Sequence, residues 1–169
     1  MIGLQIVNDS IMAGYGLLLL FVIGSFALYD ILHKRVPNKA LAVLLPVFLA
    51  APVLEAWKAH PAGGFWATFG TAFVYSLLGA GSGFLILLCA ALISKGNAGV
   101  GGGDIKLATA MGFAYGPYGI LGILLIASVL CFPAAMLCRS RVKGTALSLP
   151  FVPFLAAGSL VITTLQKFF

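Results

Sequence analysis

Long apolar runs, separated by short clusters of basic residues, leave this chain few ways to fold. Hydrophobic residues make up 62% of its 169 residues and charged residues only 8%, whereas a soluble domain carries about a quarter charged residues. The mean hydropathy is +1.12. Such a composition belongs to an integral membrane protein. In lipid every backbone N–H and C=O has to be paired within the chain, so the runs are predicted to be helices. Their association then rests on close packing and interhelical hydrogen bonds.

A crossing takes about 20 apolar residues. Six candidates emerge, at Ile11–Tyr29, Lys39–Ala56, Phe65–Ile93, Asp104–Tyr115, Tyr118–Cys138 and Pro150–Leu165. The second has Pro37 just before it as a helix-start residue. The expected fold is an all-α polytopic membrane protein of six transmembrane helices, a single integral-membrane domain over residues 1–169. The third run is long, roughly 43 Å at 1.5 Å per residue, against a hydrocarbon core of about 30 Å. It has to tilt, kink at Gly79, Gly81 and Gly83, or project from the membrane. The fourth is short, which places Asp104 below the surface, with residues 99–103 dipping inward as irregular backbone. Such backbone is tolerated where protein or water lines it.

The net charge of +6 invites a nucleic-acid reading, but the placement of the charges argues for topology. Lys34, Arg35, Lys39, Lys95, Lys106, Arg139, Arg141 and Lys143 fall on one predicted side, and Lys58 and Lys167 on the other. The first side is therefore cytoplasmic, both termini are extracytoplasmic, and no nucleic-acid partner is expected. Ser25-Phe26-Ala27 has the form of a signal-peptide cleavage site, but no basic segment precedes its long apolar run, so it reads as a retained first span. Cys89, Cys131 and Cys138 form no Cys-x-x-Cys pair and no zinc spacing.

Acids are scarce: Asp9, Asp30, Glu55 and Asp104 are the four carboxylate side chains. Asp30 and Asp104 end apolar runs on the same predicted membrane edge, where an ionisable group is a functional candidate by default. Each also has a bland account. Asp30 can pair with Lys34 one turn on, for a few tenths of a kcal/mol, and Asp104 can cap the helix that follows Gly101-Gly102-Gly103. The glycines themselves let another backbone approach closely. On the residues alone, cap and catalyst stand level for Asp104. A small transporter or channel using both acids as a proton or cation site is the rival class.

Together the two segments are more specific. Asp30 followed by Arg35, Pro37 and Asn38, and later Gly101-Gly102-Gly103-Asp104-Ile105-Lys106-Leu107, resembles the type IV prepilin peptidase family of Gly-x-Gly-Asp intramembrane aspartyl proteases. Leu149-Pro150-Phe151-Val152-Pro153-Phe154 resembles that family's proline-containing start of the last helix, with Val152 where a small residue is usual. The likeness runs from the first span to the sixth. It implies that Asp30 and Asp104 are the catalytic pair. It also implies cleavage of a short basic leader from prepilins or pseudopilins at the cytoplasmic face of a prokaryotic inner membrane, typically after a glycine. Larger members carry paired Cys-x-x-Cys motifs and an N-methyltransferase activity. This chain is similar to the short form associated with tight-adherence (Flp) pili, so methylation is not expected.

The residue types suit that chemistry. Peptide hydrolysis needs a base to activate water and an acid to protonate the leaving nitrogen. Two carboxyls close together in a low-dielectric pocket share a proton and supply both. No metal or cofactor is called for. Gly101, Gly102 and Gly103 would admit the substrate backbone. Lys106 projects from another side of the helix, towards lipid headgroups. The decoys fail on spacing or placement. Ser82 lies in Gly81-Ser82-Gly83 without a Gly-x-Ser-x-Gly frame, His33 and His60 fall on opposite predicted faces, and no His-Glu-x-x-His occurs. Presenilin-type proteases share Tyr29-Asp30 and Gly-x-Gly-Asp, but their Pro-Ala-Leu element is missing here.

Overall fold

A computed structural model of the chain describes residues 2–33, 38–59, 64–93, 101–141 and 150–165. The described residues are helical almost throughout: α1 (Ile2–His33), α2 (Asn38–Leu49), α3 (Ala51–Ala59), α4 (Phe65–Ile93), α5 (Gly102–Arg141) and α6 (Val152–Leu165). Four stretches, Val7–His33, Lys39–Lys58, Phe65–Ile93 and Gly102–Met136, are long and apolar enough to cross a membrane, and Val152–Leu165 is a shorter apolar helix. The molecule is an all-helical membrane protein.

Prolines and one glycine set the breaks. The run predicted as the second span is a rod bent at Ala50, between α2 and α3. Pro46 and Pro52 lie either side of the bend, and neither has an N–H for the helical ladder. The ladder resumes through Ala50 N–H to Pro46 O at 3.1 Å and Leu54 N–H to Ala50 O at 3.0 Å. In α5 the break is sharper. Gly116 has φ 70° and ψ 178°, a backbone region essentially closed to residues with a side chain. Pro117 follows and cannot donate to the preceding turn.

Packing shows that α5 folds back on itself there. A Cβ built on Gly83 of α4 would lie 2.7 Å from Ala108 O and 3.2 Å from Ile120 Cγ1. In one straight helix residues 108 and 120 would stand roughly 18 Å apart. Both touch the same point on α4, so the arms at 102–115 and 117–141 run antiparallel, as the predicted fourth and fifth spans require. Gly79, one turn away in α4, abuts Gly112 and Gly116 in the same way. The helix assignment runs unbroken over Phe65–Ile93. Gly79 and Gly83 let backbones meet, which is how small residues serve helix packing in lipid.

The other contacts fix the direction of each pass. Asp9 of α1 pairs with Lys58 of α3 at 3.7 Å, and the Tyr15 hydroxyl donates to Val47 O at 3.0 Å. Gly16 meets Thr163 at one end of α6, while Asp30 meets Val152 at the other. Gly158 of α6 sits against Ile123, and Gly122 against Ile162. Successive passes thus alternate: α1, then α2 with α3, then α4, the two arms of α5, and α6. Ile23, Phe48, Leu107, Met111, Ile120, Ile123 and Leu155 are fully buried between them. Phe21, Trp66, Tyr118 and Leu125 point outward and are at least 65% exposed, as suits a surface that faces lipid.

Candidate active site

Asp30 lies one turn before the end of α1, on the side that carries Ile23, Phe26 and Ala27 into the core. It is only 5% exposed. Its Oδ2 accepts the main-chain N–H of Val152 at 3.3 Å. Val152 is the first residue of α6 and fully buried. Pro150 and Phe151 precede the helix, and Pro153 is its second residue. The predicted sixth span thus begins two residues late, because Pro150 stands outside the helical ladder.

Asp104 comes from the first arm of α5. The helix begins at Gly102, not at Asp104, because glycines tolerate helical geometry as well as loop geometry. Gly101 occupies the capping position: its carbonyl accepts Asp104 N–H at 3.0 Å and Ile105 N–H at 3.3 Å. Asp104 is the third helical residue, and its Oδ2 reaches back to Gly101 N–H at 3.3 Å, the reciprocal half of a capping box. The bland account of Asp104 thus survives in altered form, as a side chain that caps from within the first turn. It leaves carboxylate capacity free, since an ionised carboxylate accepts about four hydrogen bonds.

The bundle brings the two acids together. Asp30 and Asp104 are within electrostatic reach of one another at one end of the molecule. The other two carboxylates, Asp9 and Glu55, line a cavity of about 460 Å³ at the opposite end with Lys58, Tyr15, Tyr115 and Thr163. There the Tyr115 hydroxyl and Thr163 Oγ1 are 3.0 Å apart. The four acids of the chain are therefore split into two pairs, one at each end.

The remaining predicted residues divide clearly. Gly101 and Gly102 are exposed at the start of α5. Among the described residues a Cβ on Gly102 would meet nothing within 4 Å, and one on Gly101 would meet only the Asp104 carboxylate. Gly103 is half-buried behind them. Lys106 borders an apolar groove of about 490 Å³ lined by Leu41, Leu45, Phe48, Phe84 and Phe113. Asn38 is the first residue of α2. Arg35 and Pro37 lie outside the described residues. Ser82 bonds its own helix, Oγ to Gly79 O at 2.8 Å, a local contact with no catalytic partner in it. Among the described residues no three His, Cys, Asp or Glu side chains group to hold a metal ion. The contact that the sequence hid is Val152 N–H with Asp30. It is a main-chain donor, and its one visible trace is the pair of prolines that brackets it.

The bundle is apolar, and Asp30 and Asp104 lie at the same end of it, Asp30 buried and Asp104 partly exposed. Residues 16–136 match the Type IV leader peptidase family, and the chain belongs to that family. It is 35% identical over 144 residues to the prepilin leader peptidase/N-methyltransferase of Bacillus subtilis (strain 168), a match that covers 80% of this chain. The chain spans about half the length of that relative, 49%. No solved structure matches it.

Proposed function

We propose that this chain is an intramembrane aspartyl endopeptidase. It removes the short basic leader from type IV or Flp prepilins or pseudopilins at the cytoplasmic face of the inner membrane, cutting after a glycine. The convergence of Asp30 and Asp104 at one end of the bundle carries the reading, and membership of the family supports it. One carboxylate takes a proton from the water that attacks the scissile carbonyl carbon. The other, protonated, hydrogen-bonds the carbonyl oxygen and supplies the proton that the leaving nitrogen takes as the C–N bond breaks. Among the described residues Gly101 and Gly102 leave space beside Asp104, and that is where the substrate backbone would lie.

The same reading sets the molecule in its membrane as a single domain of six crossings, the two arms of α5 counting as two. The first arm spans only about 21 Å, less than the hydrocarbon core of about 30 Å, which holds Asp104 below the surface. The basic residues at the Asp30 end make that end cytoplasmic. The sequence has three separate cysteines and no Cys-x-x-Cys pair, so the activity proposed for it is the peptidase's.

The test is purified protein in detergent with a prepilin, as wild type, Asp30→Asn and Asp104→Asn. Wild type shortens the pilin, and each variant loses about a thousandfold or more of the rate while keeping its helical content, because the two acids act as a unit. A pilin left intact by wild type, together with ion flux in liposomes that needs both aspartates, would overturn it in favour of a transporter.

A further inference from the structure

We propose that the start of α6 is a positioning device for Asp30, and that its working part is the main-chain N–H of Val152. The inference rests on Asp30 being one of the reacting acids.

A helix start leaves several N–H groups without partners inside the helix. Here that supply is reduced to one. Of the first three residues of α6, Pro153 has no N–H, and Phe154 N–H is bonded to Phe151 O at 3.1 Å. Val152 N–H is left, and Asp30 Oδ2 takes it at 3.3 Å. Pro153, directly after the donor, fixes its own φ near −65°, which suits the first turn of a helix. Phe151, ahead of the helix, is partly buried. Val152 and Leu155 are both fully buried and pin the first turn into the core.

The consequence for the reaction is geometric. One oxygen of Asp30 is occupied by a donor that cannot rotate, so the carboxyl is held in one orientation. Its other oxygen is turned to a defined direction for water or the peptide. A side-chain donor would also bind the carboxylate, but it would move with its own rotamers. It would also place a further polar group in a site where two acids already have to be accommodated. A single main-chain N–H avoids both. On this account the two prolines serve Asp30, which is far from them in the sequence, and not only the start of their own helix.

The rival account is purely structural: Asp30 caps α6 and the hydrogen bond serves folding alone. The two part on a variant that removes the N–H and leaves the helix start intact. Val152→Pro does this, since proline is well tolerated as the first helical residue. An amide-to-ester replacement at residue 152, made with the α-hydroxy analogue of valine, does it with the side chain unchanged. Leu155→Ala removes packing from the same turn without touching the donor.

Prepilin cleavage by full-length protein in detergent, with kcat, KM, the pH–rate profile and thermal unfolding, reads the result. The ester and Val152→Pro proteins are expected to lose about tenfold to a hundredfold in kcat, the range for a hydrogen bond to a charged group. KM should hold within about twofold and the pH–rate profile should shift. Leu155→Ala lowers the unfolding temperature and leaves the pH profile in place. An ester protein with wild-type kcat and pH profile overturns the proposal, whatever becomes of Val152→Pro. A failure of the underlying reading looks different, because Asp30→Asn itself would then still cleave.

Discussion

At the scale of single residues, two glycines show how the same residue type serves opposite ends. Gly116 is required by its backbone: φ is 70°, and an added Cβ would run into the Tyr75 ring. Gly102 has no such constraint, for it is helical and a Cβ there would meet nothing within 4 Å. Glycine in a helix costs about 1 kcal/mol relative to alanine, and among the described residues no close contact at Gly102 calls for it. Gly102→Ala should therefore raise stability by up to about 1 kcal/mol and lower kcat/KM several-fold, because the methyl group fills the space proposed for the substrate backbone. Thermal unfolding and cleavage measured on the same preparation check it; unchanged cleavage would remove Gly102 from substrate approach. Gly116→Ala should lower stability by about 1–3 kcal/mol.

At the scale of elements, the α4–α5 contact is held by backbone proximity. A Cβ on Gly83 would lie 2.7 Å from Ala108 O, whereas one on Gly81, two residues away, would meet nothing within 4 Å. Gly83→Ala should then destabilise the protein in detergent by about 1–3 kcal/mol, the usual cost of overpacking, while Gly81→Ala is neutral or stabilising. Equal effects at both sites would mean that α4 and α5 do not meet face to face through Gly83. Much of this arrangement was legible in the sequence. Lipid restricts apolar runs to helices, so the runs at residues 65–93 and 150–165 could be read almost as they stand, and the break set between Tyr115 and Tyr118 falls where the two arms of α5 meet. That Asp104 caps a helix was legible, but not that it does so from the third helical position, because three successive glycines give no signal of where a helix begins. The bend at Ala50 was missed because prolines near it permit a bent but continuous ladder. Nor could the sequence tell that Gly79 and Gly83 join helices, since that depends on what lies opposite. The pairing of Asp30 with Val152 N–H was out of reach for a related reason. The donor is main chain, and no residue type announces it.

At the scale of the whole molecule, the direction of the passes gives an accessibility pattern that separates the proposed topology from its simplest competitor. If α5 folds back at Gly116, Tyr118 lies beside Tyr75, in the half of α4 nearer Gly64 and away from Asp30. If Gly102–Met136 were one straight span, Tyr118 would sit near the middle of the membrane. In a protein with Cys89, Cys131 and Cys138 replaced by alanine, single cysteines can be placed at His33, Gly64 and Tyr118, all exposed in the structure. A membrane-impermeant maleimide applied from the extracytoplasmic side should label Gly64→Cys and Tyr118→Cys. His33→Cys should label only after the cytoplasmic side is opened, because it follows Asp30 at the end where the basic residues gather. Labelling of Tyr118→Cys from neither side would restore a straight α5 and reduce the number of crossings. Labelling of His33→Cys from outside would invert the molecule and place the acid pair on the face opposite to the leader it is proposed to cut.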